Sequence, residues 1–173
     1  AEALQRRLLP ADLDGIPGLD LASRYLPASH ESFGGDWYDA FSLRGGQVVV
    51  AVGDVVGHGL QAAAVMAQLR TALRAYASDG HPPATVLERV NRLMCDLGPA
   101  AMTTLAYVLV DPERETLELV SAGHPPPLVI APDGAATYVP VEGGIPLGTS
   151  PVARYEGEAH PFPTGSTLVL YTD

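Results

Sequence analysis

The feature that most constrains the fold is a pair of apolar segments that meet at a glycine turn and end in aspartates. Segments 36–43 and 47–53 predict two strands around Arg44-Gly45-Gly46, a pattern typical of a tight β-hairpin. Asp36 opens one arm, Asp54 closes the other, and their numbers are symmetric about 45. Regular pairing therefore makes these two aspartates cross-strand neighbours, with Cβ atoms about 5 Å apart.

Two carboxylates at that separation repel each other unless a proton or a cation lies between them. Hard divalent cations such as Mg²⁺ and Mn²⁺ prefer carboxylate, carbonyl and water oxygens as ligands. Glycines flank both aspartates, at Gly34-Gly35 before the first and at Gly57 and Gly59 after the second, so the backbone can turn sharply there. The hairpin is therefore a candidate metal site. For either aspartate alone, a structural role at a strand end is the alternative.

The rest of the chain surrounds this hairpin with two helices and several short strands. Residues 19–27 predict a first strand, Leu60–Ala77 predicts a helix, and a second helix at about 85–97 opens on a capping box of Thr85 and Glu88. Because no alternating βα repeat is present, the order of elements predicts an α+β fold with a largely antiparallel sheet. The remaining predicted strands are Thr103–Val110, Thr116–Ala122, Leu128–Ile130, Thr137–Val141 and Thr167–Thr172.

Charge and hydropathy exclude several classes of function. The chain has 20 acidic residues against 10 basic ones, all of them arginine, and a formal net charge of −10. Binding to nucleic acid or to an anionic membrane surface is not expected from such a balance. No apolar run approaches the roughly 20 residues that span a bilayer, and Cys95 is the single cysteine. We therefore expect no membrane insertion and a cytoplasmic protein. Because the chain has no lysine, a phosphate-binding site would have to take its positive charge from arginine or from metal ions.

Phosphate-loop, HExxH and GxSxG motifs do not occur, but five other motifs follow one another in a recognisable order. The motifs are FGGDWYD at 33–39, GDVVGHG at 53–59, AGHPPPL at 122–128, PLG at 146–148 and YTD at 171–173. Together they resemble the bacterial branch of the metal-dependent (PPM, type 2C) serine/threonine protein phosphatases, which includes the SpoIIE-like sporulation and stress-response sigma-factor phosphatases. The resemblance implies a β-sandwich of two antiparallel sheets flanked by paired helices, with a two-metal site at one end.

The same resemblance implies a role for each matching residue. Asp36 would bind one metal ion, Asp54 would bridge both, and Asp173 would bind the second. The backbone carbonyl of Val55 would complete the site, and Asp39 would hold a water molecule beside it. Arg24 is a candidate for contact with the phosphate. Residues expected to shape the surrounding loops are Gly53, Gly57, His58, Gly59, Gly123 and His124.

The implied activity is hydrolysis of phosphoserine or phosphothreonine in a protein, by two-metal activation of water with Mn²⁺ or Mg²⁺. The implied substrate is a STAS-type anti-sigma-factor antagonist in a partner-switching pathway. Two alternatives stay open. One is a catalytically silent domain of this fold that acts as a binding or signalling module, and the other is a metal hydrolase of small phosphoesters.

The resemblance also divides the chain. Residues 1–10 would form the end of a linker helix that follows an upstream sensory domain, and residues 11–173 the phosphatase domain. Members of the family continue beyond the YTD motif to a further metal-binding aspartate. We therefore expect a C-terminally truncated domain, inactive as it stands for lack of that ligand.

Overall fold

The computed structural model describes residue 10, residue 13, residues 15–26 and residues 34–172, with the side chain of residue 100 left out. The predicted linker helix at 1–10 lies outside the described residues except for Pro10, and Asp173 lies outside them as well.

Two helices and eight strands make up the described part of the chain, and a short 3₁₀ turn at Pro99–Ala101 follows the second helix. The helices are α1 (Leu60–Ser78) and α2 (Pro83–Leu97). The strands are β1 (Asp36–Ser42), β2 (Val48–Val55), β3 (Thr103–Asp111), β4 (Thr116–Ala122), β5 (Leu128–Ile130), β6 (Ala136–Tyr138), β7 (Glu158–Pro161) and β8 (Thr167–Val169).

The strands form two antiparallel sheets. The larger sheet has the order β1-β2-β3-β4-β7 and the smaller one the order β6-β5-β8, and every ladder is antiparallel. The helix pair packs against one face of the larger sheet, where Leu69 and Leu73 of α1 share a core with Trp37 of β1. The prediction of an α+β fold with antiparallel sheets and paired helices is confirmed.

Strand β3 is buried on both faces and therefore lies at the centre of the fold. Leu105 and Tyr107 point into the core beneath the helices. Ala106 and Val108 point into a second core that includes Val139 and is shared with the smaller sheet. A strand covered on both faces has no need of polar residues at alternate positions, which explains the unbroken apolar run in this part of the sequence.

The predicted hairpin is confirmed in its register. Asp36 is the direct partner of Asp54 across β1 and β2. The Leu43 N–H donates to the Gln47 carbonyl at 2.8 Å and closes the turn. Gly45 has φ 89° and Gly46 has φ 82°; other L-residues rarely adopt this left-handed conformation, which glycine reaches without steric strain.

The strand predicted at 19–27 is absent from the described residues 19–26. The Leu19 N–H instead donates to the Ile16 carbonyl at 3.4 Å in a turn that contains Pro17 and Gly18. Ala22, Ser23 and Arg24 are consecutive and exposed. The alternation in this stretch was too weak to give one buried face, and the segment runs along the sheet without joining a ladder.

The prediction of a capping box formed by Thr85 and Glu88 is wrong. Helix α2 begins two residues earlier at Pro83, and Pro82 at its N-cap position makes no side-chain capping hydrogen bond. Proline is well suited to the first turn, because its φ is already helical and its missing N–H would have no partner there. Glu88 instead accepts a hydrogen bond from the Arg154 guanidinium at 2.9 Å.

Strand ends in the smaller sheet also differ from the prediction, and proline explains the differences. Strand β8 ends at Val169 rather than Thr172 because its partner β5 begins at Leu128, directly after Pro127, which has no N–H to donate. Strand β6 likewise ends at Tyr138, before Pro140. Strand β7 was not predicted, because its sequence is short, polar and ends in proline.

Candidate metal centre

The hairpin brings Asp36 and Asp54 together at one end of the larger sheet. Asp36 is the first residue of β1 and Asp54 is the second-to-last residue of β2. As direct partners in an antiparallel ladder they share a face of the sheet. Both side chains are half-buried, so their oxygens are close to each other and still reachable from solvent.

Gly35 shows that oxygen atoms converge beside this pair. Its carbonyl accepts the Val55 N–H at 3.0 Å. A Cβ atom added to Gly35 would overlap the Val55 carbonyl oxygen and would lie 2.5 Å from Oδ1 of Asp54. The space that a side chain would fill is therefore bordered by a carbonyl oxygen and a carboxylate oxygen. Such a donor set fits a hard divalent cation.

Among the residues that the structure describes, no group of three or more His, Cys, Asp or Glu side chains is arranged to hold a metal ion. The described part of the candidate centre therefore consists of two carboxylates and one backbone carbonyl. Asp173, the third carboxylate expected from the sequence, is outside the described residues, and its role stays a prediction.

Gly53 is fixed by packing on both sides. A Cβ at this position would lie 2.6 Å from the Thr104 carbonyl oxygen and 2.8 Å from the Trp37 ring. The buried indole of Trp37 therefore occupies the volume of the missing side chain and packs against β2 just before Asp54. This close approach is a physical reason for glycine in the GDVVGHG motif.

The loop after Asp54 turns the chain away from the sheet and into α1. Gly57 has φ 92° and Gly59 has φ 82°, and Gly59 is the N-cap residue of the helix. The Val56 N–H donates to the Met102 carbonyl at 2.9 Å and so ties the loop to the chain just before β3. His58 lies between the two glycines and is exposed. The structure therefore places it at the surface of the loop.

Asp39 lies on the opposite face of β1 from Asp36, since the two positions differ by an odd number of residues. Its fully buried carboxylate accepts hydrogen bonds from Arg70 at 3.1 Å and from Arg74 at 2.9 and 2.6 Å. These bonds raise the pKa of the Arg74 guanidinium. Arg74 also stacks over Phe41 at 4.6 Å. The carboxylate thus faces helix α1, and this geometry does not favour the predicted contact with a water molecule of the metal centre.

His124 is buried and connects three parts of the chain. Its Nδ1 lies 2.9 Å from Oγ1 of Thr104, and its Nε2 lies 2.9 Å from the Tyr171 carbonyl oxygen. Its own N–H donates to the Ser121 hydroxyl at 3.2 Å. Gly123 before it has φ 68°, and a Cβ there would lie 3.0 Å from Pro146. The histidine of the AGHPPPL motif therefore links β3, β4 and the segment that follows β8.

Arg24 is exposed and borders a cavity of about 390 Å³ that also reaches Asp36. Tyr38 and Tyr171 contribute to the same cavity. The Ser23 hydroxyl donates to the Tyr38 hydroxyl at 2.9 Å, which holds this segment against β1. A guanidinium and a candidate metal ligand thus face one opening.

Sequence reasoning missed three residues that build this region, and it gave Gly35 only the role of a flexible position before Asp36. Thr104 is the register partner of Asp54 on β3. The signal for Arg70 and Arg74 was their spacing of four on a helix, which places both on one face. No sequence pattern indicated that they would meet Asp39.

Solved structures with this fold are similar to the chain over most of its length. The RsbU and RsbW domains of Rv1364c from Mycobacterium tuberculosis match at 40% identity and a TM-score of 0.73, over 84% of this chain and 40% of that one. RsbX in complex with magnesium matches at 22% identity and a TM-score of 0.67, over 83% of this chain and 68% of that one. At that identity the RsbX match supports the fold alone.

A curated relative extends the comparison to the whole sequence. The phosphoserine phosphatase RsbU of Bacillus subtilis (strain 168) is 27% identical in an alignment of 174 positions, which covers all of this chain and 51% of the relative. The chain thus spans about half the length of this relative.

The two antiparallel sheets and the helix pair make a PP2C-type phosphatase fold, as in the PP2C phosphatase domain of SpoIIE from Bacillus subtilis. Within this class, the sequence profile described as Stage II sporulation protein E (SpoIIE) matches residues 44–173. The chain therefore belongs to the SpoIIE family.

Proposed function

We propose that this chain is the catalytic domain of a metal-dependent protein phosphatase that hydrolyses phosphoserine or phosphothreonine. The single observation that carries the proposal is the convergence of Asp36, Asp54 and the Val55 carbonyl beside Gly35. Family membership supports it, as does the activity named for RsbU. Residues 11–173 belong to that domain in this proposal, and Asp173 adds a third carboxylate to Asp36 and Asp54.

The ligands in this proposal are all oxygen atoms. Asp54 lies between Asp36 across the hairpin and the Val55 carbonyl next to it, which suits it to contact two cations. Bound Mn²⁺ or Mg²⁺ would supply positive charge for the phosphoryl oxygens and would lower the pKa of a water molecule. The chain itself has no lysine and a net charge of −10, so it supplies little other positive charge near a phosphate.

Three other residues keep the metal centre open or hold its ligands and the substrate in place. Gly35 leaves the centre open, because any side chain there would cover the Val55 carbonyl. Gly53 allows Trp37 to pack beneath Asp54 and hold its strand in place. Arg24, at the border of the cavity that reaches Asp36, contacts a phosphoryl oxygen of the substrate.

The substrate class in this proposal is a phosphorylated STAS-type anti-sigma-factor antagonist, and the protein acts in the cytoplasm. No described helix is long and apolar enough to cross a bilayer. A phosphoprotein with an acidic surface would be repelled by this chain except where metal ions or arginines face it.

The test is phosphate release from a phosphoserine protein by the full-length protein that carries this chain, with and without Mn²⁺. We expect release only with the metal, and a loss of at least about 100-fold in Asp54→Asn, since this variant lacks a carboxylate that would hold the metal ions. Asp79→Asn is the matched control, because Asp79 is exposed in the turn between α1 and α2.

Full activity without Mn²⁺, or full activity in Asp54→Asn, would rule out the metal mechanism. Tight binding of the phosphoprotein with no phosphate release would favour a silent binding module. Release from small phosphoesters but from no phosphoprotein would favour a small-molecule hydrolase.

A further inference from the structure

Three segments that are far apart in sequence meet at the imidazole ring of His124. Thr104, which contacts Nδ1, is 20 residues away, and Tyr171, which contacts Nε2, is 47 residues away. The ring lies at the end of β4 and is only 7% exposed. A buried side chain with a polar contact on each ring nitrogen is held in one orientation.

The contacts also define the proton on the ring. The Tyr171 carbonyl can only accept a hydrogen bond, so Nε2 carries the hydrogen and donates it. In the neutral ring Nδ1 then accepts from the Thr104 hydroxyl. Each contact therefore has a donor and an acceptor, and the imidazole links a side chain on β3 to a backbone carbonyl near the C-terminal end of the described chain.

Both partners of His124 are next to the candidate metal centre. Thr104 is the direct partner of Asp54 in the ladder between β2 and β3. Tyr171 borders the same cavity as Asp36, is two residues before Asp173 in the sequence, and lies beyond Val169, where β8 ends. Strand pairing therefore stops before the YTD motif, and the hydrogen bond from His124 holds the chain past that point.

We propose that His124 is a positioning residue that fastens the segment leading to Asp173 onto β3 beside Asp54. It makes no contact with substrate in this role, and acts through the backbone of Tyr171. The proposal rests on the proposed function, since it assigns His124 to the assembly of the same metal centre. Breaking the fastening lowers metal affinity and leaves the binding of the phosphoprotein unchanged.

The experiment compares Mn²⁺ binding by titration calorimetry in the full-length protein and in three variants. His124→Phe removes both hydrogen bonds, and Thr104→Val removes only the hydroxyl at nearly constant volume. His124→Gln keeps one N–H donor in the direction of the Tyr171 carbonyl. His81→Gln is the control, because His81 lies in the turn before α2, away from the centre.

We expect His124→Phe to weaken Mn²⁺ binding at least about tenfold, the size of effect found when a residue that orients a ligand is lost. His124→Gln should recover part of this loss. Thr104→Val should also weaken binding, and its effect combined with His124→Phe should be less than additive because both act on one linkage. KM for the phosphoprotein should not change at saturating Mn²⁺.

Amide hydrogen exchange gives a readout that needs no metal. Residues Leu170–Thr172 should exchange faster in His124→Phe and Thr104→Val than in the parent, while β4 keeps its protection. Should the parent bind no Mn²⁺, the proposed function fails, and faster exchange would still support the fastening contact.

If Asp54→Asn abolishes Mn²⁺ binding while His124→Phe binds and exchanges like the parent, the proposed role of His124 is wrong and the metal centre stands. Thr104→Val serves the same comparison should His124→Phe not fold.

Discussion

At the scale of single residues, the absence of a side chain at Gly35 decides whether the candidate centre is open. Its φ is not in the left-handed region, so another residue could adopt its backbone conformation. Space alone excludes one, because the Val55 carbonyl and the Asp54 carboxylate border the position where Cβ would lie. Close packing against Val55 and Asp54, rather than a turn, therefore explains glycine at position 35.

Gly35→Ala should lower Mn²⁺ affinity at least about tenfold, because the new methyl group displaces ligand oxygens. Calorimetric titration with Mn²⁺ measures the change. Gly143→Ala is the matched control, since Gly143 also lacks a positive φ and a Cβ there meets nothing within 4 Å. Equal Mn²⁺ affinity in both variants would contradict this account of Gly35.

At the scale of elements, one buried carboxylate joins helix α1 to strand β1. Asp39 is the acceptor for both Arg70 and Arg74, which lie one helical turn apart. Apolar packing holds the helix against the sheet, and this charged contact adds a directional link between one turn of the helix and one position of the strand. The first residue of that strand is Asp36, so the same contact ties the helix to the candidate metal ligand.

Asp39→Asn should lower the free energy of unfolding by about 2–4 kcal/mol, because it removes the charge that pairs with two partly buried guanidinium groups. The side-chain volume hardly changes, so packing is not the cause. Urea denaturation followed by circular dichroism measures the free energy of unfolding, with Asp79→Asn as the control at an exposed position. Equal stability of the two variants would show that the pairing of Asp39 with Arg70 and Arg74 does not stabilise the fold.

Strand β4 carries a carboxylate that opposes folding at neutral pH. Burial raises the pKa of Glu118 above its ordinary value of 4.5. A carboxyl group with a raised pKa destabilises the folded state above that pKa, and the penalty disappears once pH falls below the unfolded value.

Glu118→Gln should therefore stabilise the protein at pH 7, by less than about 1 kcal/mol since solvent screens the half-buried group. The gain should shrink towards zero at pH 4. Urea denaturation at pH 7 and pH 4 measures the gain in the free energy of unfolding. An equal gain at both pH values would show that ionisation of Glu118 is not its cause.

Part of the site could be read from the sequence because it depends on local pairing. The glycine turn at 45–46 sets the register that places Asp36 opposite Asp54, and both facts follow from neighbouring residues. The arginine partners of Asp39 could not be predicted, because they depend on how α1 crosses the sheet. The strand at 158–161 was missed for a similar reason, since its pairing with β4 comes from tertiary packing.

At the scale of the whole molecule, we expect divalent cations to stabilise the fold, because the net charge is −10 and two aspartates are paired at one end of the larger sheet. A ligand that binds only the folded state stabilises it by mass action, by about 2.7 kcal/mol at a concentration 100 times its dissociation constant.

Mn²⁺ should accordingly raise the melting temperature of the full-length protein by several degrees, and Asp54→Asn should abolish the rise. Differential scanning calorimetry with and without Mn²⁺ measures it. Because Na⁺ screens surface charge without filling the centre, NaCl at matched ionic strength is the control. An equal rise with NaCl would mean that general screening is the cause.

The hairpin register also has a kinetic consequence. Asp36 and Asp54 are brought together by a turn within one hairpin, so little chain entropy is lost in closing that loop. The contact between His124 and Tyr171 joins positions 47 residues apart, and such distant pairings form slowly. During refolding, the two carboxylates should therefore meet before the C-terminal segment docks, and Mn²⁺ capture should report the last step of assembly.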